Sequence, residues 1–272
     1  MGRYRLIAVD MDGTLLKSDK SIHPDTLRDT AYAAEKGIHI VYSTGRGAAE
    51  LFPYADLLPG IRWGICTSGA EVYDFQEDRF IYRRGISPEM ARRVIETAGE
   101  ETCMVHFLTE RASIVREGMI ARMEDYHMEA YRPLYDRVAS TVPDMSEEAG
   151  KHSSIAKINI YFRSKEERET AAERIGRLPL TVIRADGTTL EITAAGVTKA
   201  LGLKELSAYL GIAPEETAGI GDGDNDRALL EAAGFSAAMG NASPALREAC
   251  DLVTDDNDHN GAGKAIRLIA DM

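Results

Sequence analysis

The amino-acid sequence predicts an α/β fold in which a parallel-sheet core is interrupted by an inserted α+β segment. In the first eighty or so residues, and again from Gly196 onward, short apolar runs alternate with helical patterns. Such alternation favours a parallel sheet covered by helices on both faces. Between these parts the strand and helix patterns segregate, as is typical of α+β domains. The length of 272 residues agrees with about two domains.

The first part of the chain is predicted to supply three buried strands. The apolar run at residues 6–9 is typical of a buried parallel strand. Residues 24–36 form a helical pattern that Gly37 can end, and residues 38–42 form the second apolar run. The other elements predicted here are a helix at 48–58 broken by Pro53 or Pro59, a strand at 61–66, and a hairpin through 72–73 and 80–82.

The inserted segment begins after about Arg83. A helix is predicted at residues 88–99, because Met90, Val94 and Ile95 recur at helical spacing. The other elements predicted here are strands at 104–108 and 113–115, a polar stretch with helical patches at 117–154, an alternating strand at 155–162, a charged helix at 165–178, and strands at 181–183 and 190–192.

The last part returns to alternation. Its predicted elements are a helix at 198–210, a strand at 217–220, a helix at 224–233, strands at 235–239 and 252–253, and a helix at 262–270.

Two carboxylates, Asp10 and Asp12, directly follow the first strand, and Gly13 follows them. Residues two apart point the same way, and open α/β sheets bind ligands at the carboxyl ends of their strands. Gly13 lets the backbone turn sharply beside a bound group. The pattern indicates one carboxylate that attacks or holds a metal and a second that moves protons. An ordinary turn, in which Asp and Gly are common, is the alternative.

Two further segments indicate an anion site. The sequence Ser43-Thr44-Gly45-Arg46 ends the second strand, where hydroxyl groups and backbone N–H groups before a helix can bind an anion; a simple helix N-cap is the alternative. Lys199 is expected in the first turn of a helix, where a cation opposes the helix dipole. That placement suits a lysine that reaches a phosphate, although a solvated surface lysine is the simpler reading.

An acidic segment, Gly221 to Asp226, follows the strand at 217–220 and is typical of a site for an oxygen-binding cation. It does not fit an EF-hand, because Arg227 and Ala233 stand at the positions of the required Gly and Glu. The segment at 256–261 is a closer match to such a loop but has Arg267 at its twelfth position.

These four segments together resemble the motifs of the haloacid dehalogenase superfamily: Asp-x-Asp-Gly-Thr, a strand-end Ser or Thr, a Lys, and Gly-Asp-x-x-x-Asp. More narrowly, the chain resembles the Cof-type phosphatases with a C2-type cap of the C2B class, in which the cap is inserted between the second and third motifs. Segments 239–242 and 254–263 fit this group, whereas Ser68, Gly223-Asp224 and Asn260-Gly261 depart from its usual residues. The resemblance implies a Rossmann-like core at residues 1–83 and 191–272 and an α+β cap at residues 84–190 that selects the substrate.

The resemblance also implies roles for the site residues. Asp10 would be the nucleophile that forms an aspartyl-phosphate, and Asp12 the general acid and base. Magnesium would be held by Asp10, the carbonyl group of Asp12 and Asp222, with Asp226 in support. The groups expected to bind the phosphoryl oxygens are the Met11 amide, Thr44, the Gly45 amide, Lys199 and Asn225.

Electrostatics explains why a metal is expected. Each pair of like unit charges near 4 Å costs about 4 kcal/mol at an effective dielectric constant of 20. Asp10, Asp222 and Asp226 together would therefore exclude a phosphate dianion. A divalent cation and the Lys199 ammonium group supply the missing positive charge.

The composition of the chain indicates which classes of binding partner are unfavourable and in which compartment the protein is expected. The net charge of −12 argues against nucleic acid and anionic membranes, which require basic patches. No signal-peptide pattern and no apolar run of about 18 residues is present, so a soluble protein that is not exported is expected. Cys66, Cys103 and Cys250 are odd in number and lack metal-type spacing, which indicates reduced thiols in the cytoplasm.

The sequence thus predicts a magnesium-dependent phosphatase acting on small phosphomonoesters, such as sugar phosphates or related metabolites. A phosphohexomutase-type phosphotransferase using the same aspartate pair is one alternative, and a non-catalytic sugar-phosphate sensor is another. Several cap side chains can either contact substrate or serve packing and solvation, and the latter is the simpler expectation for each: Arg83, Arg84, His106, Arg111, His127, Tyr131, Arg132 and Lys157.

Overall fold

The structure is a computed structural model that describes residues 2–55, 58, 60–99, 102–185 and 187–272. Its contacts divide the chain into two compact units. The first unit is Met1–Gly45, Pro53–Tyr82 and Thr198–Met272, and the second is Arg46–Phe52 and Arg83–Val197.

Strands and helices are both abundant in the described residues. The strands are β1 Leu6–Val9, β2 His39–Ser43, β3 Trp63–Cys66, β4 Glu71–Asp74, β5 Arg79–Arg83, β6 Met104–Leu108, β7 Ser113–Arg116, β8 Ala139–Val142, β9 Lys157–Tyr161, β10 Leu180–Arg184, β11 Thr189–Ala194, β12 Thr217–Gly221, β13 Phe235–Ala238 and β14 Leu252–Val253. The α-helices are α1 Pro24–Glu35, α2 Ala48–Ala55, α3 Pro88–Ala98, α4 Arg132–Val138, α5 Met145–Ala149, α6 Lys165–Ile175, α7 Lys199–Leu210, α8 Arg227–Ala232, α9 Pro244–Glu248 and α10 Gly261–Ala270.

The first unit is built on an eight-stranded sheet in the order β14-β13-β12-β1-β2-β3-β4-β5. The six strands from β14 to β3 are parallel, and β4 pairs antiparallel with β3. One face packs against α7 and α8 through a core that includes Leu6, Leu203 and Leu229. The helices α1 and α10 contact each other extensively. The predicted α/β fold with a parallel-sheet core is confirmed.

The second unit has a six-stranded sheet in the order β10-β11-β9-β6-β7-β8, in which the β7–β8 pair is parallel and the other described pairs are antiparallel. One face is apolar, with Val105, Phe107 and Ile158 in a core that also takes residues from α3, α5 and α6. The unit extends to Val197, and the division predicted between residues 190 and 191 falls inside β11, which pairs with both β9 and β10.

Local signals explain several helix starts. Ser87, Asp144 and Ser164 each cap the helix that follows them by accepting a hydrogen bond from a backbone N–H group. His23 accepts a hydrogen bond from the Asp25 N–H group at the start of α1. Trp63 is 8% exposed and lies in the core of the first unit.

Some predicted elements differ from those observed. The helix at 224–233 begins as a 3-10 turn at Asp224–Asp226 and becomes α-helical at Arg227. The helix predicted to 178 ends at Ile175, because Gly176 follows it. Within the polar stretch 117–154 the helical patches are present, but β8 was not predicted. Part of the predicted helix at 48–58 lies outside the described residues, at 56–57. Among the described residues, no helix has the length and apolar character needed to cross a bilayer.

Candidate active site

The parallel sheet brings the ends of three neighbouring strands together. Val9 at the end of β1 is in register with Tyr42 of β2 and with Ile220 of β12. The N–H group of Asp10 donates to the Ile220 carbonyl oxygen at 2.9 Å, which continues this register by one residue. The segments that begin at Asp10, Thr44 and Asp222 therefore leave the sheet at the same edge.

Lys199 lies between two carboxylates at this edge. Its Nζ donates to Asp10 Oδ1 and to Asp226 Oδ1, each at 2.5 Å. All three side chains are buried, and Lys199 is 1% exposed. The reading of Lys199 as a solvated surface residue is therefore wrong: its place in the first turn of α7 lets it reach the carboxylates.

Asp222 is fixed by two neighbours. Thr14 Oγ1 donates to Asp222 Oδ1 at 2.8 Å, and Asn241 Nδ2 donates to Asp222 Oδ2 at 3.2 Å. Gly13 has φ = +81°, and a Cβ atom there would overlap the Asp222 carboxylate. Gly13 is therefore required both for the turn after β1 and for the close approach of the acidic loop.

Asp226 stabilises the acidic loop at residues 221–226 through hydrogen bonds to its backbone. Its Oδ2 accepts hydrogen bonds from the N–H groups of Asp222 at 3.1 Å and Gly223 at 3.0 Å, while its Oδ1 binds Lys199. Both oxygens are thus engaged in holding the loop against α7, which suits a supporting position.

The three carboxylates form a group that is able to bind a metal ion. One ligand atom each from Asp10, Asp222 and Asp226 lies within 4.8 Å of the others. Burial, with the charges of Asp226 and Asp222, raises the pKa of Asp10 well above its ordinary value, although Lys199 acts to lower it. Burial, opposed by the Thr14 hydrogen bond, raises the pKa of Asp222 to about 6.

For Lys199, the charges of its neighbours outweigh the effect of burial on the pKa. Burial alone would lower its pKa, but the charges of Asp10 and Asp226 raise the pKa above its ordinary value. The three grouped carboxylates thus have one ammonium group beside them, which pairs with Asp10 and Asp226, so two negative charges are uncompensated when all are ionised. Oxygen ligands with excess negative charge are the donor set that Mg²⁺ prefers, so the residues fit such an ion.

The other predicted site residues lie on the same segments. Thr44 is 1% exposed, and its carbonyl oxygen accepts from the Ser68 N–H group at 3.0 Å. Gly69, with φ = +94°, lets this turn touch the Thr198 carbonyl group, so the end of β2 is linked to the start of α7. Met11 is buried directly after Asp10, and Gly45 follows Thr44 half-buried.

Asp12 and Asn225 are both half-buried. The Asp12 carboxylate accepts a hydrogen bond from Lys20 Nζ at 2.8 Å. Asn225 folds back over Gly223, where a Cβ atom would meet its Oδ1 at 2.6 Å.

The segment at 256–261 is organised differently. Asp256 Oδ1 accepts from the backbone N–H groups of Asp258 and His259, each at 3.0 Å, and from His259 Nδ1. Asn260 Oδ1 accepts from the Thr26 hydroxyl group at 2.6 Å. These oxygens are used in capping and packing, so the resemblance to a calcium loop does not extend to its geometry.

A buried polar cluster in the second unit was missed by the sequence analysis. On the face opposite the apolar core, His106 is in register with Asn159, and Asn159 with Glu191. His106 bonds to Ser113 and Tyr135, and Lys157 Nζ pairs with Glu191 at 2.8 Å. His106 and Lys157 are both about 1% exposed, so neither is a solvated side chain.

Three core residues were also missed as site residues. Thr14 and Asn241 bond to Asp222, and Lys20 bonds to Asp12. Thr14 and Asn241 stand within segments that the sequence analysis had noted for their resemblance, but nothing in the sequence indicated which group each would contact. Lys20 carried no signal at all.

Comparison with known proteins gives a consistent result. The family model described as haloacid dehalogenase-like hydrolase matches residues 7–266. The chain is similar to Phosphatase YwpJ of Bacillus subtilis (27% identity, 97% of this chain and 99% of that protein). It is also similar to the 5-amino-6-(5-phospho-D-ribitylamino)uracil phosphatase YitU of the same bacterium (27% identity, 96% of each).

A solved structure extends the likeness to the fold. The HAD subclass IIB sugar phosphatase BT4131 superposes with a TM-score of 0.84 at 25% identity, over 98% of this chain and all of the other. The resemblance inferred from the four motifs is confirmed, and the chain belongs to the haloacid dehalogenase-like hydrolases as a hydrolytic phosphatase.

Proposed function

We propose that the protein is a magnesium-dependent phosphatase that hydrolyses small phosphomonoesters through an aspartyl-phosphate formed on Asp10. The observation that carries this proposal is the buried Asp10 carboxylate, bonded to Lys199 at 2.5 Å and grouped with Asp222 at the end of the parallel sheet. A buried carboxylate, an ammonium group and a group of carboxylates able to bind a metal ion thus lie within a few ångströms of one another, which supports the proposal.

The metal would be held by Asp10, Asp222 and the backbone carbonyl group of Asp12, with Asp226 fixing the loop. Bound there, Mg²⁺ would neutralise charge and polarise a phosphoryl oxygen. The excess negative charge of the carboxylate group supports this assignment, because a phosphate dianion would otherwise be repelled.

The protein groups would carry out two displacements. Asp10 attacks phosphorus and the P–O ester bond breaks, while Asp12 gives a proton to the departing oxygen. Asp12 then takes a proton from water as that water attacks phosphorus, which releases inorganic phosphate and regenerates Asp10. Lys199 holds Asp10 Oδ1, so the nucleophile is oriented before substrate arrives.

The phosphoryl oxygens would be bound by groups that follow three of the strands, β1, β2 and β12, and by a group in the first turn of α7. These groups are the Met11 amide, Thr44, the Gly45 amide, Lys199 and Asn225. Thr44 and Lys199 are linked through the Ser68–Gly69 turn, which supports a common site for them.

For the substrate we infer phosphorylated metabolites such as sugar phosphates, acted on in the cytoplasm. The named activities of YitU and BT4131 are on a ribityl phosphate compound and on sugar phosphates, which supports this class. The inserted unit, predicted as a cap at residues 84–190, would select the leaving group. The chain has three cysteines, Cys66, Cys103 and Cys250, and this odd number without metal-type spacing suits a reducing compartment.

The test is phosphate release from p-nitrophenyl phosphate and from a panel of sugar phosphates, with Mg²⁺ and with EDTA. We expect activity with Mg²⁺, none with EDTA, and none for Asp10→Asn, because the amide is not a nucleophile. Asp224→Asn is the matched control, since the Asp224 side chain is 68% exposed in the same acidic loop; its activity should equal that of the wild type.

The stoichiometry separates the proposal from its alternatives. Phosphate released in proportion to substrate consumed indicates hydrolysis, whereas isomer formation that depends on a bisphosphate would indicate a mutase. Binding of sugar phosphates without turnover would indicate a sensor, and full activity of Asp10→Asn would contradict the nucleophile assignment.

A further inference from the structure

We propose that Lys20 is a positioning residue for Asp12, whose ammonium group holds the carboxylate where it exchanges protons with the leaving group and with water. This inference rests on the proposed function, in which Asp12 is the general acid and base. Lys20 Nζ lies 2.8 Å from Asp12 Oδ1. The two side chains are 35% and 29% exposed, so the pair is accessible from solvent.

The chain doubles back to create this contact. Isolated β-bridges join Asp12 to Leu16 and Leu16 to Ile22. The N–H group of Lys17 donates to the Ser21 carbonyl oxygen at 2.8 Å, and the N–H group of Lys20 donates to the Lys17 carbonyl oxygen at 2.9 Å. The segment after β1 is therefore a closed turn that returns Lys20 to the residue two positions after Asp10.

Lys20 itself has φ = +65°, a left-handed conformation that is uncommon for residues other than Gly and Asn. A glycine at this position would meet the backbone requirement with less restriction. The backbone conformation therefore does not explain why a lysine stands at this position. The contact of its side chain with Asp12 does.

The turn is anchored from the far end of the chain. Asp258 accepts from the Ser18 N–H group at 2.9 Å and from the Ser18 hydroxyl group at 2.7 Å. Asn257 Nδ2 donates to the Leu16 carbonyl oxygen at 3.0 Å. These bonds belong to the first unit, so Lys20 is presented to Asp12 from a fixed base.

Stability does not account for the pair, because exposed ion pairs contribute little to folding. Proton transfer, in contrast, requires the carboxylate to lie within hydrogen-bond reach of the leaving oxygen. An ammonium group bound to Oδ1 restricts the rotation of the Asp12 side chain. Misplacement of a catalytic group by about 1 Å can cost on the order of 100-fold in rate.

The experiment compares kcat/KM for three phosphate esters that differ in how much they need a general acid. Aryl phosphates with a good leaving group, such as p-nitrophenyl phosphate, need little protonation; phenyl phosphate needs more and glycerol phosphate needs most. The variants are Lys20→Met and Lys20→Gly, both of which remove the ammonium group, and Lys20→Arg, which keeps a cation. Lys20→Gly also suits the left-handed backbone, so at least one variant retains the turn.

We expect both neutral variants to lose about 10- to 100-fold in kcat/KM for glycerol phosphate, within the contribution of a positioned general acid, and about twofold or less for p-nitrophenyl phosphate. Lys20→Arg should recover part of the loss. Lys17→Met is the matched control, since Lys17 lies in the same turn but pairs with Asp19 at 3.0 Å; it should keep the wild-type pattern.

An equal loss for all three esters would overturn the inference, because it would indicate only a disturbed fold or site. Unchanged kinetics in the neutral variants would overturn it as well. A rise in KM for glycerol phosphate with kcat unchanged would assign Lys20 to substrate binding instead. If the wild type hydrolyses none of the esters, the proposed function itself fails, which is a distinct result.

Discussion

The position of Lys199 shows how a single residue links folding to chemistry. It is a cation in the first turn of a helix, which is locally unfavourable, and it is buried, which is also unfavourable. Asp10 and Asp226 offset both costs by flanking its ammonium group. The sequence could show the odd placement of the lysine, but its pairing with Asp226 depends on the tertiary fold.

Replacement of Lys199 by Met should therefore affect both stability and turnover. Removal of one partner of a buried ion pair typically costs about 3–5 kcal/mol, because it leaves uncompensated charge. We expect a lower Tm without Mg²⁺, partial recovery on addition of Mg²⁺, and loss of phosphatase activity. Differential scanning calorimetry with and without Mg²⁺ measures the first two.

Lys204→Met is the matched control for that experiment, since Lys204 is exposed on the same helix. It should change neither the Tm nor the activity. If the Tm and the phosphatase activity of Lys199→Met also equal those of the wild type, Lys199 has neither the structural nor the chemical role assigned to it.

At the scale of elements, the sequence predicted where the strands of the parallel sheet end. It did not predict every strand of the sheet in the second unit. The apolar runs before Asp10 and Thr44 predict buried parallel strands, and the parallel register then brings their ends together without further information. β8 was missed because Ala139–Val142 is short and lies beside a helical pattern. It forms a strand because it pairs with β7, which is a long-range contact.

The buried polar cluster on the second sheet illustrates the same limit. Along β6 and β9 the apolar residues Val105, Phe107 and Ile158 mark the core face, and alternation places His106 and Lys157 on the other. Solvation or packing was the simpler expectation for both. The structure has both buried and packed among polar partners that the sequence does not place side by side.

Burial of His106 leads to a prediction about acid stability. Burial and the charge of Lys157 lower the pKa of His106 to about 3, and Glu50 lies 3.9 Å from its Nε2. Between that value and the ordinary value of 6.5, the unfolded chain binds a proton that the folded chain does not. The stability that the neutral histidine provides is therefore complete above pH 6.5 and declines as the pH falls, by about 1.4 kcal/mol per unit.

Urea unfolding at pH 7 and pH 5 measures this effect. The free energy of unfolding of the wild type should fall by about 2 kcal/mol more than that of His106→Gln over this interval. His127→Gln, which changes an exposed histidine in the same unit, should fall as the wild type does. An equal decline in wild type and His106→Gln would show that His106 is protonated in the folded protein.

At the scale of the whole molecule, the chain is acidic overall, and it also groups carboxylates where it is proposed to bind an anion. The net charge is −12, and three carboxylates are grouped at the site with one lysine. A phosphate anion that binds there needs a cation to offset the carboxylate charge, so metal and phosphate binding should depend on each other. The composition indicated that an acidic protein would repel an anionic substrate. The motifs indicated where a cation and Lys199 would offset that charge.

The division of the chain into two units includes one grouping that the sequence did not predict. Residues 46–52 group with the second unit although they directly follow the Thr44–Gly45 segment of the first. In sequence, these residues read as part of a core helix. Their grouping reflects contacts such as that between Gly47 and Leu108, which are set by packing.

The central claim is that Asp10 becomes phosphorylated during turnover. Its most direct test is to mix enzyme, Mg²⁺ and substrate, quench rapidly with acid, reduce with borohydride and locate the product by mass spectrometry. An aspartyl-phosphate is reduced to homoserine, whereas a free aspartate is not. The account predicts homoserine at position 10 with Mg²⁺ and substrate, and none when either is left out. Turnover without homoserine at position 10, or with homoserine at another aspartate, would contradict it.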